Sequence, residues 1–135
     1  YNSDITRTLA VGGCSEEREK AYSLVRAAQE KAYEAAREGV EAQSVDRVAR
    51  EIIEAAGYGQ FFIHRTGHGI GLEIHEEPYI VAGNSMKLED GMTFSIEPGI
   101  YVPGQYGVRI EDIVVIHAGK AQRLNNCTRD LITIQ

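Results

Sequence analysis

The stretch His64-Arg65-Thr66-Gly67-His68-Gly69-Ile70-Gly71-Leu72-Glu73-Ile74-His75 constrains this chain more than any other. Gly67, Gly69 and Gly71 alternate with larger residues. Each would cost about 1 kcal/mol in a helix interior, so the segment is expected to be extended. In an extended chain residues an even number apart share a face, which places His64 and His68 on the same side. The glycines then either bring the backbone close to a neighbour or take up positive φ. Three of the four histidines of the sequence fall within this run. Core packing alone does not produce that density, and a reactive centre is the simplest explanation.

Two acidic segments follow, Ser95-Ile96-Glu97-Pro98-Gly99 and Gly107-Val108-Arg109-Ile110-Glu111-Asp112, and Ser3-Asp4-Ile5-Thr6-Arg7-Thr8 stands near the start. Together they offer one imidazole and three carboxylates dispersed over most of the chain, as an oxygen-rich metal site built from several strands requires. Other chemistries lack their patterns. The glycine run is GxGxG rather than GxGxxG, and no strand-glycine-helix unit carries an acidic residue about 20 positions on, which argues against a dinucleotide site. His75-Glu76-Glu77-Pro78 is not HExxH, and Pro78 would spoil the helix that motif needs. No GxSxG elbow is present. Carboxylate-rich metal chemistry remains, in which two divalent ions about 3.5–4 Å apart share carboxylates, activate water and polarise a carbonyl.

With 43% hydrophobic and 25% charged residues, the 135-residue chain fits one ordinary globular domain. Its net charge of −6, with no cluster of Lys and Arg, argues against nucleic acid and favours a small or peptide substrate. Cys14 and Cys127 are far apart and outside any CxxC, so neither a zinc finger nor a disulfide framework is expected. No apolar run approaches the roughly 20 residues of a membrane span and no secretory leader is visible, so no membrane partner and a cytoplasmic location are expected.

The alternation of residues 1–9 predicts a strand. Tyr22, Val25, Ala28, Gln29, Ala32, Tyr33 and Ala36 recur at three- and four-residue steps, which predicts a helix over 16–38 that stops at Gly39. Ser44 is expected to cap a second helix with the stripe Val45, Val48, Ala49, Ile52 and Ile53, ended by Gly57 and Gly59. Beyond Gly59 the period changes to two. Strands are expected over 61–66, 93–97, 100–102 and 107–117, with turns at 88–92, 103–104 and 118–120, and a final pair ending at Ile134. The organisation is α+β: a strand, two helices, then a sheet.

At the motifs quoted above the chain resembles the Xaa-Pro peptidases, aminopeptidase P and prolidase, of the pita-bread metallopeptidases. The four motifs occur in the family's order and spacing, and the resemblance covers essentially the whole chain. It implies a pita-bread fold in part, a curved antiparallel sheet with two helices on one face, and hydrolysis of the Xaa-Pro bond in peptides with proline at the second position. In that family two divalent ions are held by two Asp, one His and two Glu. By motif Asp4 matches the second Asp, His68 the His, and Glu97 and Glu111 the two Glu. His64 and His75 match the histidines that handle substrate and intermediate, and Arg109 an arginine near the site; Glu97 is expected to serve as general base as well. The metal could be Mn, Co, Zn or Fe, since O and N ligands discriminate poorly among them.

The resemblance also implies that residues 1–135 are the C-terminal part of a catalytic domain. The family's first Asp lies about ten residues before the second, outside this chain, so the isolated chain is expected to be inactive with an incomplete site. An unpaired strand edge near Asp4 and an uncovered sheet face are expected to make it a homo-oligomer. A metal-free pita-bread module that binds peptides or proteins, and a methionine aminopeptidase-type relative, are the alternatives within the same fold.

Overall fold

The computed structural model describes all residues, Tyr1–Gln135. In chain order the elements are β1 (Leu9–Val11), α1 (Glu16–Ala35), α2 (Ala42–Ala55), β2 (Gly67–Gly69), β3 (Glu76–Ile80), β4 (Thr93–Ile96), β5 (Gly99–Val102), β6 (Tyr106–Arg109), β7 (Asp112–His117), β8 (Lys120–Arg123) and β9 (Ile132–Ile134), with a 3-10 turn at Gly59–Phe61. Strands β3-β2-β4-β7-β8 form one antiparallel sheet, β5 and β6 a hairpin, and β1 and β9 a parallel pair. No helix is long and apolar enough to cross a membrane.

Both helices bury the stripe that the spacing predicts. Tyr22, Val25, Ala28, Gln29 and Ala32 face inward on α1, and Val45, Ala49 and Ile53 on α2. They pack with Phe94 and Ile96 of β4 and Val114 and Ile116 of β7 in a single core cluster. Strand alternation therefore turns Ser95 to the face away from the helices. Both helices cover one face of the sheet, and the opposite face is left for chemistry.

The helix boundaries differ from expectation for identifiable reasons. α1 stops at Ala35 because Ala36 is extended and its carbonyl accepts from Ala121 N at 3.0 Å, joining the sheet edge before Gly39 is reached. Ser44 is not a cap. α2 begins at Ala42, where Ala42 N and Gln43 N donate to the carbonyls of Met86 and Asn84, both at 2.9 Å, so loop backbone satisfies the first-turn donors. Gly57, at φ 83°, follows the helix end as predicted, whereas Gly59 belongs to the 3-10 turn.

The strand expected at 61–66 does not form. Arg50 of α2 donates to the carbonyls of Phe62 (3.1 Å) and His64 (3.0 Å), and Asp46 accepts from Thr66 N (3.2 Å) and Oγ1 (2.7 Å). Side chains of a helix thus satisfy the carbonyls of Phe62 and His64, and only Thr66 bonds to sheet backbone, its N–H donating to the Ile80 carbonyl at 2.9 Å and its carbonyl accepting from Glu97 N at 2.7 Å. The expected strand 107–117 is two, β6 and β7, broken at Glu111, whose N–H donates to the Thr6 carbonyl at 3.1 Å. At the start only Leu9–Val11 is a strand, and it is paired with β9, so the expected free strand over 1–9 is absent. Single bonds hold the segment before it, among them Asn2 N to the Gly71 carbonyl at 2.9 Å. β3 was not expected. It holds Pro78, tolerated because β3 lies at the sheet edge.

Of the two roles open to the glycines, close approach is the one used. Gly67, Gly69 and Gly71 are not among the residues with positive φ. A Cβ on Gly67 would collide with the Ser95 carbonyl, and one on Gly69 with the carbonyls of Glu76 and Glu77. These obstacles are backbone atoms of β4 and β3 and cannot swing aside. Gly67→Ala is therefore expected to destabilise the fold by about 3 kcal/mol, the upper end of overpacking costs. Urea denaturation checks this, and a loss below about 0.5 kcal/mol, the scale of ordinary surface substitutions, would show that the strands separate freely.

Candidate metal centre

Four sequence-distant segments meet on the face of the sheet opposite the helices. His68 comes from β2, Glu97 from the residue after β4, Glu111 from the break before β7, and Asp4 from the irregular N-terminal segment. Ligand atoms of Asp4, His68 and Glu111 all lie within 4.8 Å of one another. Glu97 Oε1 is 3.2 Å from His68 Nε2. Asp4, His64, Arg65, His68, His75, Tyr79, Glu97 and Arg109 line one cleft of about 680 Å³. All seven residues singled out in the sequence thus lie in or against a single cleft, with Glu111 buried at its floor.

Hydrogen bonds fix how each group is presented. His68 Nδ1 faces the Gly69 carbonyl at 3.0 Å. A proton there turns Nε2 toward the carboxylates, where it donates to Glu97 Oε1 when the ring is charged and offers its lone pair to a metal when the ring is neutral. Ser95 Oγ accepts from His68 N at 3.0 Å and donates to Glu97 Oε1 at 3.0 Å. Arg109 Nη1 lies 3.3 Å from Glu97 Oε2. Thr6 Oγ1 donates to Glu111 Oε2. His75, exposed, stands edge-on to His68 with centroids 4.2 Å apart.

His64 is held from both ends. Its Nδ1 donates to the Arg65 carbonyl (2.7 Å), and Nε2 accepts from the Tyr101 hydroxyl (3.1 Å), which in turn accepts from Arg109 Nε (2.6 Å). Ser95 and Thr6 lie within the quoted motifs and Tyr101 two residues beyond Gly99, and none of the three is among the expected site residues. Ser95 could have been found from parity, lying two residues before Glu97 on the same face. Tyr101 and Thr6 act through partners distant in sequence and leave no local signal.

The electrostatics fit a cation. Burial opposes ionisation of Glu97, but hydrogen bonds from His68 and Ser95 and the charge of Arg109 outweigh it and hold the carboxyl below its ordinary value. Glu111 goes the other way. Burial, with the charges of Glu97 and Asp4, pushes it up to about 7 against the opposing bond from Thr6. Burial also disfavours charge on His68, yet bonds to Glu97 and the Gly69 carbonyl prevail and raise its pKa; His64 is lowered, chiefly by burial. Three carboxylates and one imidazole crowd together with more negative charge than Arg109 neutralises. A divalent ion bound by O and N donors is what such a set accommodates.

The family description "metallopeptidase family M24" matches residues 1–118. The chain belongs to metallopeptidase family M24. It is 51% identical to the Xaa-Pro dipeptidase of Pyrococcus furiosus over 132 residues, 98% of this chain and 38% of that protein. Its structure matches recombinant prolidase from Thermococcus sibiricus with a TM-score of 0.96 at 55% identity, covering 98% of this chain and 36% of that one. Dipeptidase PepE from Mycobacterium ulcerans matches with a TM-score of 0.95 at 52% identity, covering 97% and 35%. The M24 chain thus spans a little over a third of the length of the relatives it matches, and its fold is the corresponding part of their pita-bread fold.

The shifts at this M24 centre set the sign of its pH dependence. Glu111 has a folded pKa raised from 4.5 to about 7, so its contribution to stability is complete below pH 4.5 and is lost as pH rises through 7. His68, also raised, acts in the same direction, and Glu97, lowered, loses its contribution only at acid pH. With chelator present, stability is expected to fall by about 3 kcal/mol from Glu111 between pH 5 and 8. Mn2+ should oppose this fall, and Glu111→Gln should remove most of it. Urea midpoints across that range provide the measurement, and a chelated protein whose stability rises with pH would contradict it.

Proposed function

We propose that the protein to which this chain belongs is a metal-dependent peptidase that hydrolyses the bond before proline in Xaa-Pro peptides. The observation that carries this reading is the convergence of Asp4, His68 and Glu111 within 4.8 Å, with Glu97 against His68, in a chain of family M24. The name Xaa-Pro dipeptidase on a relative 51% identical supports the substrate class. We take residues 1–135 as the C-terminal part of the catalytic domain.

Asp4, His68, Glu97 and Glu111 would hold the divalent metal, Mn, Co, Zn or Fe by donor chemistry, with two ions in the complete centre. Such ions polarise a carbonyl and lower the pKa of water. Glu97, kept ionised by Ser95, His68 and Arg109, accepts a proton from the attacking water as general base. Arg109 holds that carboxylate in place. His75, exposed at the mouth of the cleft, is free to donate to the substrate carbonyl or the oxyanion that forms from it. His64, anchored by Tyr101, lines the same cleft and meets the peptide there.

Full-length protein is expected to cleave an Xaa-Pro dipeptide with Mn2+ and not in EDTA. Glu97→Gln should lower kcat by about 10²–10⁴-fold while the protein stays folded. Absence of metal-dependent cleavage, with peptide still bound, would replace the peptidase by a binding module.

The isolated 135 residues are expected to behave differently. Asp4, His68 and Glu111 form one set of three converging ligands, enough for one weakly held ion and no measurable peptidase activity. Leu9 and Val11 of β1 and Ile132 and Ile134 of β9 are exposed together beside the N-terminal segment, which supports self-association of the chain there. Calorimetry with Mn2+ and light scattering test both expectations. Two tight sites would contradict the first, and a well-folded monomer of 14.9 kDa the second.

A further inference from the structure

Asp112 follows the candidate ligand Glu111 and points the opposite way, toward the helices. It is fully buried, yet it touches no other member of the centre. Its Oδ1 accepts from Arg7 Nη2 at 2.6 Å, and its Oδ2 from Gln29 Nε2 at 3.2 Å and Arg129 Nη1 at 3.1 Å, with Arg123 Nε 3.3 Å away. Removing a carboxylate and guanidinium from water costs several kcal/mol per ion, and simple cohesion is supplied as well by apolar packing. So costly a cluster one residue from a ligand calls for a further role.

The three arginines are not equivalent. Arg7 alone also touches the ligand segments: Nη1 donates to the carbonyls of Glu111 (2.6 Å) and Thr6 (2.9 Å), Nε to Thr128 (2.8 Å), and Nη2 to Cys127 (3.0 Å) as well as Asp112. Five acceptors meet the five N–H groups of a guanidinium, so its position is fully determined. Thr6, gripped through its carbonyl, sits two residues from Asp4 and donates its hydroxyl to the Glu111 carboxylate. Arg129 and Arg123 pair with the same aspartate and reach neither segment.

We propose that Asp112 and Arg7 form a clamp that sets the spacing of the Asp4 and Glu111 carboxylates from the helix side of the sheet, and thereby the affinity of the centre for its divalent cation. Both are positioning residues. The inference rests on the metal-centre reading above. It names a determinant of cation binding that makes no contact with the cation, since Asp112 faces away and Arg7 acts through backbone carbonyls.

The test compares Arg7→Lys with Arg129→Lys in the full-length protein, measuring the Kd for Mn2+ by calorimetry, the Tm in chelator, and kcat and KM at saturating Mn2+. An ammonium keeps the charge but cannot serve five acceptors. Arg7→Lys is expected to weaken Mn2+ binding about 10–100-fold, the usual effect of losing a group that orients a ligand, and to leave KM within about twofold once metal saturates. Arg129→Lys should lower Tm to a similar extent and leave the Kd for Mn2+ within about twofold of the parent. Equal shifts in Kd for the two variants, or an unchanged Kd in Arg7→Lys, would reduce the cluster to a structural ion pair and overturn the clamp. If Arg7→Lys does not fold, Asp112→Asn, which keeps the shape and one acceptor, carries the same expectation on Kd. Failure of the unsubstituted protein to bind Mn2+ would overturn the metal centre and the clamp together, whereas parent binding with indistinguishable variants overturns the clamp alone.

Discussion

The approach of β2 to its neighbours at Gly67 and Gly69 sets the geometry on which the candidate centre depends. With the Ser95 carbonyl lying where a Gly67 side chain would be, the His68 N–H reaches Ser95 Oγ at 3.0 Å and the same hydroxyl reaches Glu97 at 3.0 Å. The imidazole and the carboxylate then face each other at 3.2 Å. A strand held further off by ordinary side chains would separate these two groups, whatever their identity. Backbone contact, which no rotamer change can relax, is what converts a histidine and a glutamate on different strands into one site.

The sheet separates two kinds of interior. Toward the helices it presents Phe94, Ile96, Val114 and Ile116, and toward the cleft it presents groups that carry or bind charge. Within the polar face the acids are treated unequally. Glu97 has two hydrogen-bond donors and an arginine and stays ionised, whereas Glu111, with one hydroxyl donor and two anionic neighbours, is driven toward its neutral form. The difference follows from position. Glu97 leaves β4 beside Ser95 and across from His68, while Glu111 lies at a strand break against an N-terminal segment that brings a further carboxylate.

What could be read from the sequence reflects the range over which each cause acts. The stripes on α1 and α2 and the positive-φ Gly57 are local and were visible. The end of α1, the start of α2 and the absence of a strand at 61–66 were not, because each is decided by a partner elsewhere: Ala121, Met86 with Asn84, and the Asp46–Arg50 pair. Pro78 concealed β3 by its unfavourable composition. For the site, residue type and family motif pointed to Asp4, His68, Glu97 and Glu111. Ser95 shares the face of Glu97 two residues on and was within reach of that parity, whereas Thr6, Tyr101 and the arginine at position 7 are common residues whose meaning appears only when distant segments are superposed.

The Thr6 to Glu111 pairing joins residues 105 apart, more than three quarters of the 135-residue chain. Loop-closure entropy opposes such a contact until the intervening helices and strands have formed, so the ligand cluster has no counterpart in the denatured ensemble. A cation that binds there recognises the native state alone, and mass action then adds about 2.7 kcal/mol of stability at a free ion concentration one hundred times the dissociation constant. At such an affinity metal supply would set how long the folded molecule survives proteolysis, and chelation would act on its turnover.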